Sequence, residues 1–194
     1  MMYQARDIAK YVIWLAAREP EMEVITQMRL HKLLYYIEGW SLACRGRSIF
    51  RDTIKAWKHG PVVSGLYREY SGYGNAPIDP GEGDEGAGIA PEDRAFVESV
   101  WEHYKQFSAT ELRRRTHMEK AWLSARGELP EEVPGDAPIA RDEMEREFRA
   151  MYDREAMRGL ELSVVEASER EVERGETVSL DEAARRLGVR PDEL

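Results

Sequence analysis

The stretch of residues 26–73 constrains the fold most strongly, because it holds the densest run of apolar and aromatic residues in the chain. Its first half carries apolar side chains at helical spacing, which predicts a helix with Leu33 and Leu34 on its inward face. Thr26 is suited to cap the start of this helix, since its hydroxyl can accept from a free backbone N–H. Gly46 is suited to end it, because glycine adopts the left-handed conformation without a clash.

The predicted helix also carries polar residues and the single cysteine of the chain. Arg29, Lys32 and Glu38 fall on other faces of the helical wheel. Cys44 falls on the apolar face, and we interpret it as a small buried side chain rather than as a reactive thiol. A lone cysteine excludes an intrachain disulfide and leaves no pair of thiols for zinc.

The second half of the stretch turns at His59, Gly60 and Pro61. Because proline is tolerated at the first position of a helix, we predict a second helix that begins at Pro61 and continues through Val62 and Val63. Residues between the two helices are candidates for a short β-pair: Ile49, Phe50 and 54–57.

Three segments of this stretch together resemble the Panacea domain, which is also found in phage-associated GepA-like and SocA-like proteins. They are LHKLLYYIEGWSLA (30–43), AWKHGPV (56–62) and LYREYSGYG (66–74). THMEKAW (116–122) and PIARDEM (138–144) follow in the order of the later motifs of that family. The resemblance covers roughly residues 5–152 and implies a mainly α-helical single domain. The residues expected to hold this fold are Leu33, Leu34, Trp40, Gly60, Pro61, His117 and Trp122.

Further helices are predicted on both sides of the central stretch. The patterns favour helices over residues 5–18 and 142–152, one that begins at Pro91, and one that begins at Ser108, where Glu111 completes a capping box. Residues 75–90 are rich in glycine and acidic residues and predict a mobile surface loop. Their spacing does not match a calcium-binding loop, which needs a bidentate glutamate at its twelfth position.

The C-terminal residues differ in composition from the rest, so we divide the chain into a domain over 1–152 and a charged arm over 153–194. The arm is rich in Glu, Arg and Ala, and its apolar stripe is too thin to form an independent core. We predict an extended helical arm that packs on a partner. The apolar residues expected to make that contact are Met157, Leu160, Val164, Val172, Leu180 and Leu187.

The overall charge limits the class of partner. The net charge is −9, and 34% of residues are charged. An acidic surface repels phosphate, which argues against general nucleic-acid binding and favours a basic protein partner. No apolar run approaches the roughly 20 residues that span a membrane, and the N-terminus lacks the features of a signal peptide. We therefore expect a cytoplasmic protein that does not enter a membrane.

No catalytic group is evident in the sequence. His59 could act as a general base or anion ligand, but we favour a ring that bonds backbone groups at the turn. For His117, a buried, hydrogen-bonded ring beside Trp122 is favoured over a metal ligand. Four scattered histidines and one cysteine give no metal-ligand spacing, so we expect no metal, cofactor or enzymatic activity. For Arg113, Arg114 and Arg115, a solvated, ion-paired face is favoured over a contact with an acidic partner.

A cluster of aromatic residues is the candidate partner-binding surface, because Tyr and Trp carry much of the energy at protein interfaces. For two of its residues, Tyr67 and Tyr70, packing in the core remains an equal alternative. The residues of this candidate surface are Trp57, Lys58, His59, Tyr67, Tyr70 and Tyr73.

The resemblance implies an antitoxin that neutralises a cognate toxin by direct binding, with the acidic arm covering a basic surface of the toxin. A SocA-type adaptor that delivers the toxin to a AAA+ protease is the nearest alternative. A DNA-binding autoregulator that uses residues 179–194 and an enzyme that uses His59 are more distant ones. Self-association into a homo-oligomer stays open.

Overall fold

A single buried helix, α2 (Gln27–Arg45), lies at the centre of the fold. The computed structural model describes residues 2–19 and 24–154. Of the 19 residues of α2, 15 are buried. It contacts α1 (Ala5–Ala17), α4 (Pro91–Tyr104), α5 (Ala109–Thr116) and one strand of a hairpin. The prediction of a mainly α-helical fold is therefore confirmed.

The remaining elements are short. Strands β1 (Ile54–Trp57) and β2 (Gly60–Val63) form an antiparallel hairpin. The helical elements that complete the described chain are α3 (Ser64–Tyr70), 3-10 turns at Ser71–Tyr73 and Pro80–Glu82, α6 (Lys120–Arg126) and α7 (residues 141–154). Of the helices in the described chain, none has the length and apolar character that crossing a membrane requires.

The ends of α2 follow the sequence prediction. The Thr26 hydroxyl accepts from the Arg29 backbone N–H at 3.3 Å. Gly46 ends the helix with a φ of +62°, a conformation that favours glycine. Two other predicted starts are confirmed as well, since Pro91 opens α4 and the Ser108 hydroxyl caps α5.

Most polar residues of α2 are buried rather than solvated, because other elements surround the helix. The guanidinium of Arg29 donates to the Lys105 carbonyl at 2.6 Å. The carboxylate of Glu38 accepts from Arg141 Nε at 3.1 Å and from the Ile49 backbone N–H at 3.0 Å. These bonds supply the partners that charged groups need when they leave water.

The hairpin corrects the prediction that Pro61 begins a helix. Pro61 lies in β2, paired with Ala56, and α3 begins only at Ser64. Ala56 directs its own N–H away from β2, to the Ala137 carbonyl on the other side of β1. Because Ala56 and Pro61 therefore do not form a hydrogen-bonded pair, the strand does not need the N–H that proline lacks. Gly60 has a φ of +95° and follows the two-residue turn between the strands.

The predicted β-pair is also corrected in its partners. Residues 54–57 form a strand, but they pair with residues 60–63 rather than with Ile49 or Phe50. Phe50 instead forms an isolated bridge with Tyr3, near the start of α1.

Cys44 is exposed, so the interpretation of a buried side chain is wrong. It lies in the last turn of α2, which is covered on one side only. Leu42 and Ala43 are buried there, whereas Cys44 and Gly46 face solvent. A helical wheel drawn from the sequence does not show where along the helix the elements that cover it end.

The chain divides into two compact units, Met1–Arg149 and Ala150–Leu194. The six apolar arm residues predicted to bind a partner, from Met157 to Leu187, lie outside the described residues. The division into a domain over 1–152 and an arm over 153–194 stays a prediction.

Candidate binding site: an aromatic cavity beside the hairpin

An open cavity of about 550 Å³ lies between the first turns of α2, the hairpin and α3. This volume is in the range of ligand-binding pockets in proteins. Much of its lining comes from α2 and the AWKHGPV motif, with a further wall from the loop before α7. The residues that line the cavity include Gln27, His31, Lys32, Trp57, Lys58, His59, Tyr67, Pro134, Gly135 and Asp136.

Two aromatic rings form one wall of the cavity. The rings of Trp57 and Tyr67 meet edge to face, with centroids 4.7 Å apart. The Trp57 indole N–H donates to Asp136 Oδ1 at 3.0 Å, which fixes the ring. Gln27 Nε2 donates to the Tyr67 backbone carbonyl at 2.7 Å and links α2 to α3. The wall is therefore held in place before any partner arrives, which lowers the entropy cost of binding.

Another part of the lining is a loop that α6 holds in position. Arg126, at the end of α6, donates to the carbonyls of Pro130 at 2.6 Å and Val133 at 2.8 Å. Trp122, on the same helix, donates its indole N–H to the Trp57 backbone carbonyl at 3.2 Å. Gly135 passes so close that a Cβ there would lie 2.7 Å from the Arg126 guanidinium.

His31 lies on the floor of the cavity and is neutral. Its Nδ1 accepts from the Val63 backbone N–H at 3.3 Å, so the ring proton must be on Nε2. Burial, with a smaller contribution from the neighbouring Lys32, lowers the pKa of His31 to about 3. Nε2 has no hydrogen-bond partner within the described chain.

Lys32 lies beside His31 and is 1% exposed. Its Nζ donates to the Pro61 carbonyl at 3.1 Å. No carboxylate of residues 2–19 or 24–154 forms an ion pair with it. Burial, and then the positive charge of Arg113, lower the pKa of Lys32 to about 7.

His59 lies at the rim and is exposed, so the interpretation of a ring bonded to backbone groups at the turn is wrong. Gly60, with a φ of +95°, follows the turn, and among the described residues no hydrogen bond joins the His59 ring to a backbone group. Partial burial, and then the charges of Arg113 and Lys58, lower the pKa of His59. No hydrogen bond links it to a serine, cysteine or carboxylate in the described part of the chain.

His117 lies behind the hairpin, where its ring stacks on Trp122 with centroids 4.2 Å apart. Its Nδ1 is 3.2 Å from Glu131 Oε1, and Arg113 also pairs with Glu131, at 2.9 Å. Arg114 and Arg115 pair with Glu111, so each arginine of the run has an ion-pair partner. Across the described residues, no group of three His, Cys, Asp or Glu side chains is placed to hold a metal ion.

The predicted aromatic surface is only partly at the surface. Tyr67 is 37% exposed beside Trp57, but Tyr70 is 1% exposed and belongs to the core. Tyr73 is half-buried and its hydroxyl donates to Glu82 at 3.4 Å. Tyr70 is turned inward because only one side of the short helix α3 faces solvent.

The cavity residues that sequence reasoning missed include four polar ones, Gln27, His31, Lys32 and Asp136. The first three are polar residues on a helix with apolar residues on every side, which was a usable signal. A polar residue on a buried helix must face either a partner or a cavity. Nothing in the local sequence indicated Asp136, since a loop distant in sequence brings it to Trp57.

A helical scaffold with an open, aromatic-walled cavity is typical of a binding domain. Residues 30–123 match the family model described as "Antitoxin SocA-like, Panacea domain". The chain thus carries a Panacea domain, as the sequence motifs indicated, and this supports a role of the toxin–antitoxin type. No curated protein and no solved structure matched the chain.

Proposed function

We propose that this protein is a cytoplasmic antitoxin that binds a cognate protein toxin directly and neutralises it without catalysis. The observation that carries the proposal is the match of residues 30–123 to the SocA-like antitoxin domain. The acidic arm would cover a basic surface of the toxin, and the cavity beside the hairpin would form a second contact.

The geometry of the cavity supports its use as a contact. Trp57 and Tyr67 are held by hydrogen bonds at the ring or the backbone and still present accessible aromatic surface. Preformed aromatic pockets are typical positions for the residues that dominate binding energy. The net charge of −9 favours fast encounter with a basic partner.

A growth assay tests the proposal. The open reading frame next to the gene for this protein is expressed with and without it, and a complex is sought by co-purification. We expect the neighbour to arrest growth alone, and growth to return together with a stable complex. A harmless neighbour, or growth that returns without any complex, would contradict direct neutralisation.

The SocA-like description favours one alternative, a proteolytic adaptor that hands the toxin to a AAA+ protease. The two mechanisms differ in the fate of the toxin. Direct occlusion leaves the toxin level unchanged, whereas an adaptor lowers it only when the protease is present. Toxin abundance after a block of synthesis, in cells with and without the protease, separates them.

A further inference from the structure

The side chain of Lys32 is unusual because it is buried without a counter-ion. An ammonium group has three donors, and the described chain supplies one acceptor, the Pro61 carbonyl. Buried charges in proteins are normally paired, because removing them from water is costly. Lys32 is also one of the residues that line the cavity, so its buried side chain adjoins the open volume.

The charges around Lys32 leave its surroundings positive. The positive charge of Arg113, on α5, acts on Lys32. Lys58, in the hairpin turn, lines the same cavity and has no ion pair in the described chain. Glu131, on the far loop, is already shared by Arg113 and His117. Asp136, in the cavity wall, is held by Lys55 at 2.5 Å and by the Trp57 indole.

The neutral groups that face the cavity also favour an acceptor. His31 presents an Nε2–H that has no partner among the described residues. Burial and neighbouring cations lower the pKa of His59, at the rim, so this ring is neutral above pH 6.5. The pKa of His117, which lies outside the cavity, is lowered in the same way. The floor and rim thus offer N–H donors and positive charge below an aromatic wall.

We infer that the cavity binds an aspartate or glutamate side chain of the partner polypeptide, flanked by an apolar residue that packs on Trp57 and Tyr67, with Lys32 as the counter-ion. This inference rests on the proposed function, since it assigns the chemistry of the contact with the toxin. A single acidic anchor at the cavity, beside a basic surface that meets the arm, would fix the orientation of the partner.

A polypeptide is the better occupant than a free anion because the cavity is both open and apolar along one wall. A small inorganic anion leaves the rings of Trp57 and Tyr67 unused. An acidic residue in a chain fills the charged floor and the aromatic wall together, and its backbone can follow the groove between the hairpin and the loop at Pro134.

The first experiment uses two matched peptides, acetyl-Leu-Phe-Glu-Leu-amide and its glutamine analogue, which differ by one charge. Binding to the full chain is followed at pH 6 by the 15N signals of backbone amides and tryptophan indoles. We expect the glutamate peptide to bind about tenfold tighter or more, because hydrogen bonds to charged groups are the stronger kind. The signals of His31, Lys32 and Trp57 should shift.

Two variants assign the preference to Lys32. K32M keeps a side chain of similar length without the charge, and it should bind both peptides equally. R146Q removes a cation on α7 whose side chain is 65% exposed. This variant should keep the preference of the unmodified chain for the glutamate peptide. The spectrum of each variant away from the cavity reports whether the fold is intact.

A pH series gives a readout that does not depend on any substitution. The preference for the glutamate peptide should shrink between pH 6.5 and 8.5, as the Lys32 ammonium of the unbound chain loses its proton. His59 and His117 are already neutral over this range, and the peptide carboxylate stays ionised.

Several results would overturn the inference. They are equal binding of the two peptides by the unmodified chain, a preference that survives in K32M, a preference that does not change with pH, and binding of free phenylacetate without binding of the peptides. The last result would assign the cavity to a small carboxylate instead of a protein.

The neutralisation complex separates this inference from the proposed function. If the neighbour arrests growth and forms a complex that K32M weakens about tenfold, both stand. If the complex forms and K32M binds as tightly as the unmodified chain, the cavity assignment fails alone. If no complex forms while the glutamate peptide still binds through Lys32, the proposed function fails and the binding chemistry of the cavity remains.

Discussion

At the scale of single residues, Glu119 carries a titratable group in the core. It is 7% exposed, and the Tyr36 hydroxyl donates to its Oε1 at 2.8 Å. Burial is the main reason that the pKa of Glu119 rises to about 7, and the nearby charge of Glu147 adds to the effect. The folded state therefore keeps a proton that the unfolded state releases near pH 4.5.

We predict that Glu119 makes the fold less stable as pH rises. Between its unfolded pKa and about 7 the folded state binds more protons, so the free energy of unfolding falls with pH. The loss attributable to Glu119 should be about 3 kcal/mol between pH 4.5 and 8. E119Q should remove this loss of stability.

Urea unfolding of E119Q and of the unmodified chain across this pH range measures the difference in the free energy of unfolding, with the exposed Glu128 changed to glutamine as control. Parallel curves for E119Q and the unmodified chain would refute the prediction.

Lys32 has the opposite effect on stability. Its pKa is about 7 in the folded state against 10.5 normally, so the unfolded state binds more protons between these values. The free energy of unfolding should therefore rise with pH, by about 2 kcal/mol from pH 7 to 9. K32M should abolish this rise and be more stable than the unmodified chain at pH 6, because the desolvation cost is gone.

Chemical unfolding of K32M at pH 6, 7.5 and 9 provides the measurement, and K120M, which changes an exposed lysine on α6, is the control. A K32M chain that is less stable at pH 6 would show that the ammonium contributes to folding. A residue that lowers stability at neutral pH is a candidate for a functional role.

At the scale of elements, the packing of α7 against α2 depends on Gly39. The Phe148 ring lies against the glycine and meets Tyr35 and Trp40 edge to face, with centroids 5.5 and 5.3 Å away. A Cβ at position 39 would overlap this ring. The two helices can approach this closely only because residue 39 has no side chain.

We predict that G39A lowers the free energy of unfolding by about 1–3 kcal/mol, as overpacked cores do, even though alanine is the better helix former. G72A is the matched control, because nothing lies within 4 Å of the position of its Cβ. It should change stability by less than about 0.5 kcal/mol. Equal effects of the two substitutions in thermal unfolding would show that the Phe148 ring moves aside without cost.

At the scale of the whole molecule, the sign of the charge around the cavity differs from the sign of the net charge. The net charge is −9, yet the cavity has cations around its floor. If the arm and the cavity bind different parts of one toxin, each should supply part of the affinity. The arm contact should be the more sensitive to salt, because the charges of an acidic arm on a basic surface are screened by ions.

Removal of residues 155–194 tests this division and keeps every residue that the structure describes from 24 to 154. We expect the shortened chain to bind the toxin more weakly and to lose part of its protection in the growth assay. The remaining affinity should depend less on salt between 50 and about 300 mM. Full protection by the shortened chain would remove the arm from the mechanism.

The sequence by itself determined the elements whose causes are local. The Thr26 cap, the glycine end of α2 and the start of α4 at Pro91 each depend on one residue and its immediate neighbours. The motifs around Trp57 also indicated the family, because they preserve short-range patterns.

Only the tertiary structure decided which of these residues face solvent. Lys32 and Glu38 looked like surface residues, and Cys44 looked buried, because a helical wheel shows direction but not which elements cover each face. Residues 60–63 form a strand instead of a helix because they pair with residues 54–57 across the turn. The cavity needed α2, the hairpin, α3 and the loop at Asp136 to meet, and contacts between such distant segments depend on how the whole chain packs.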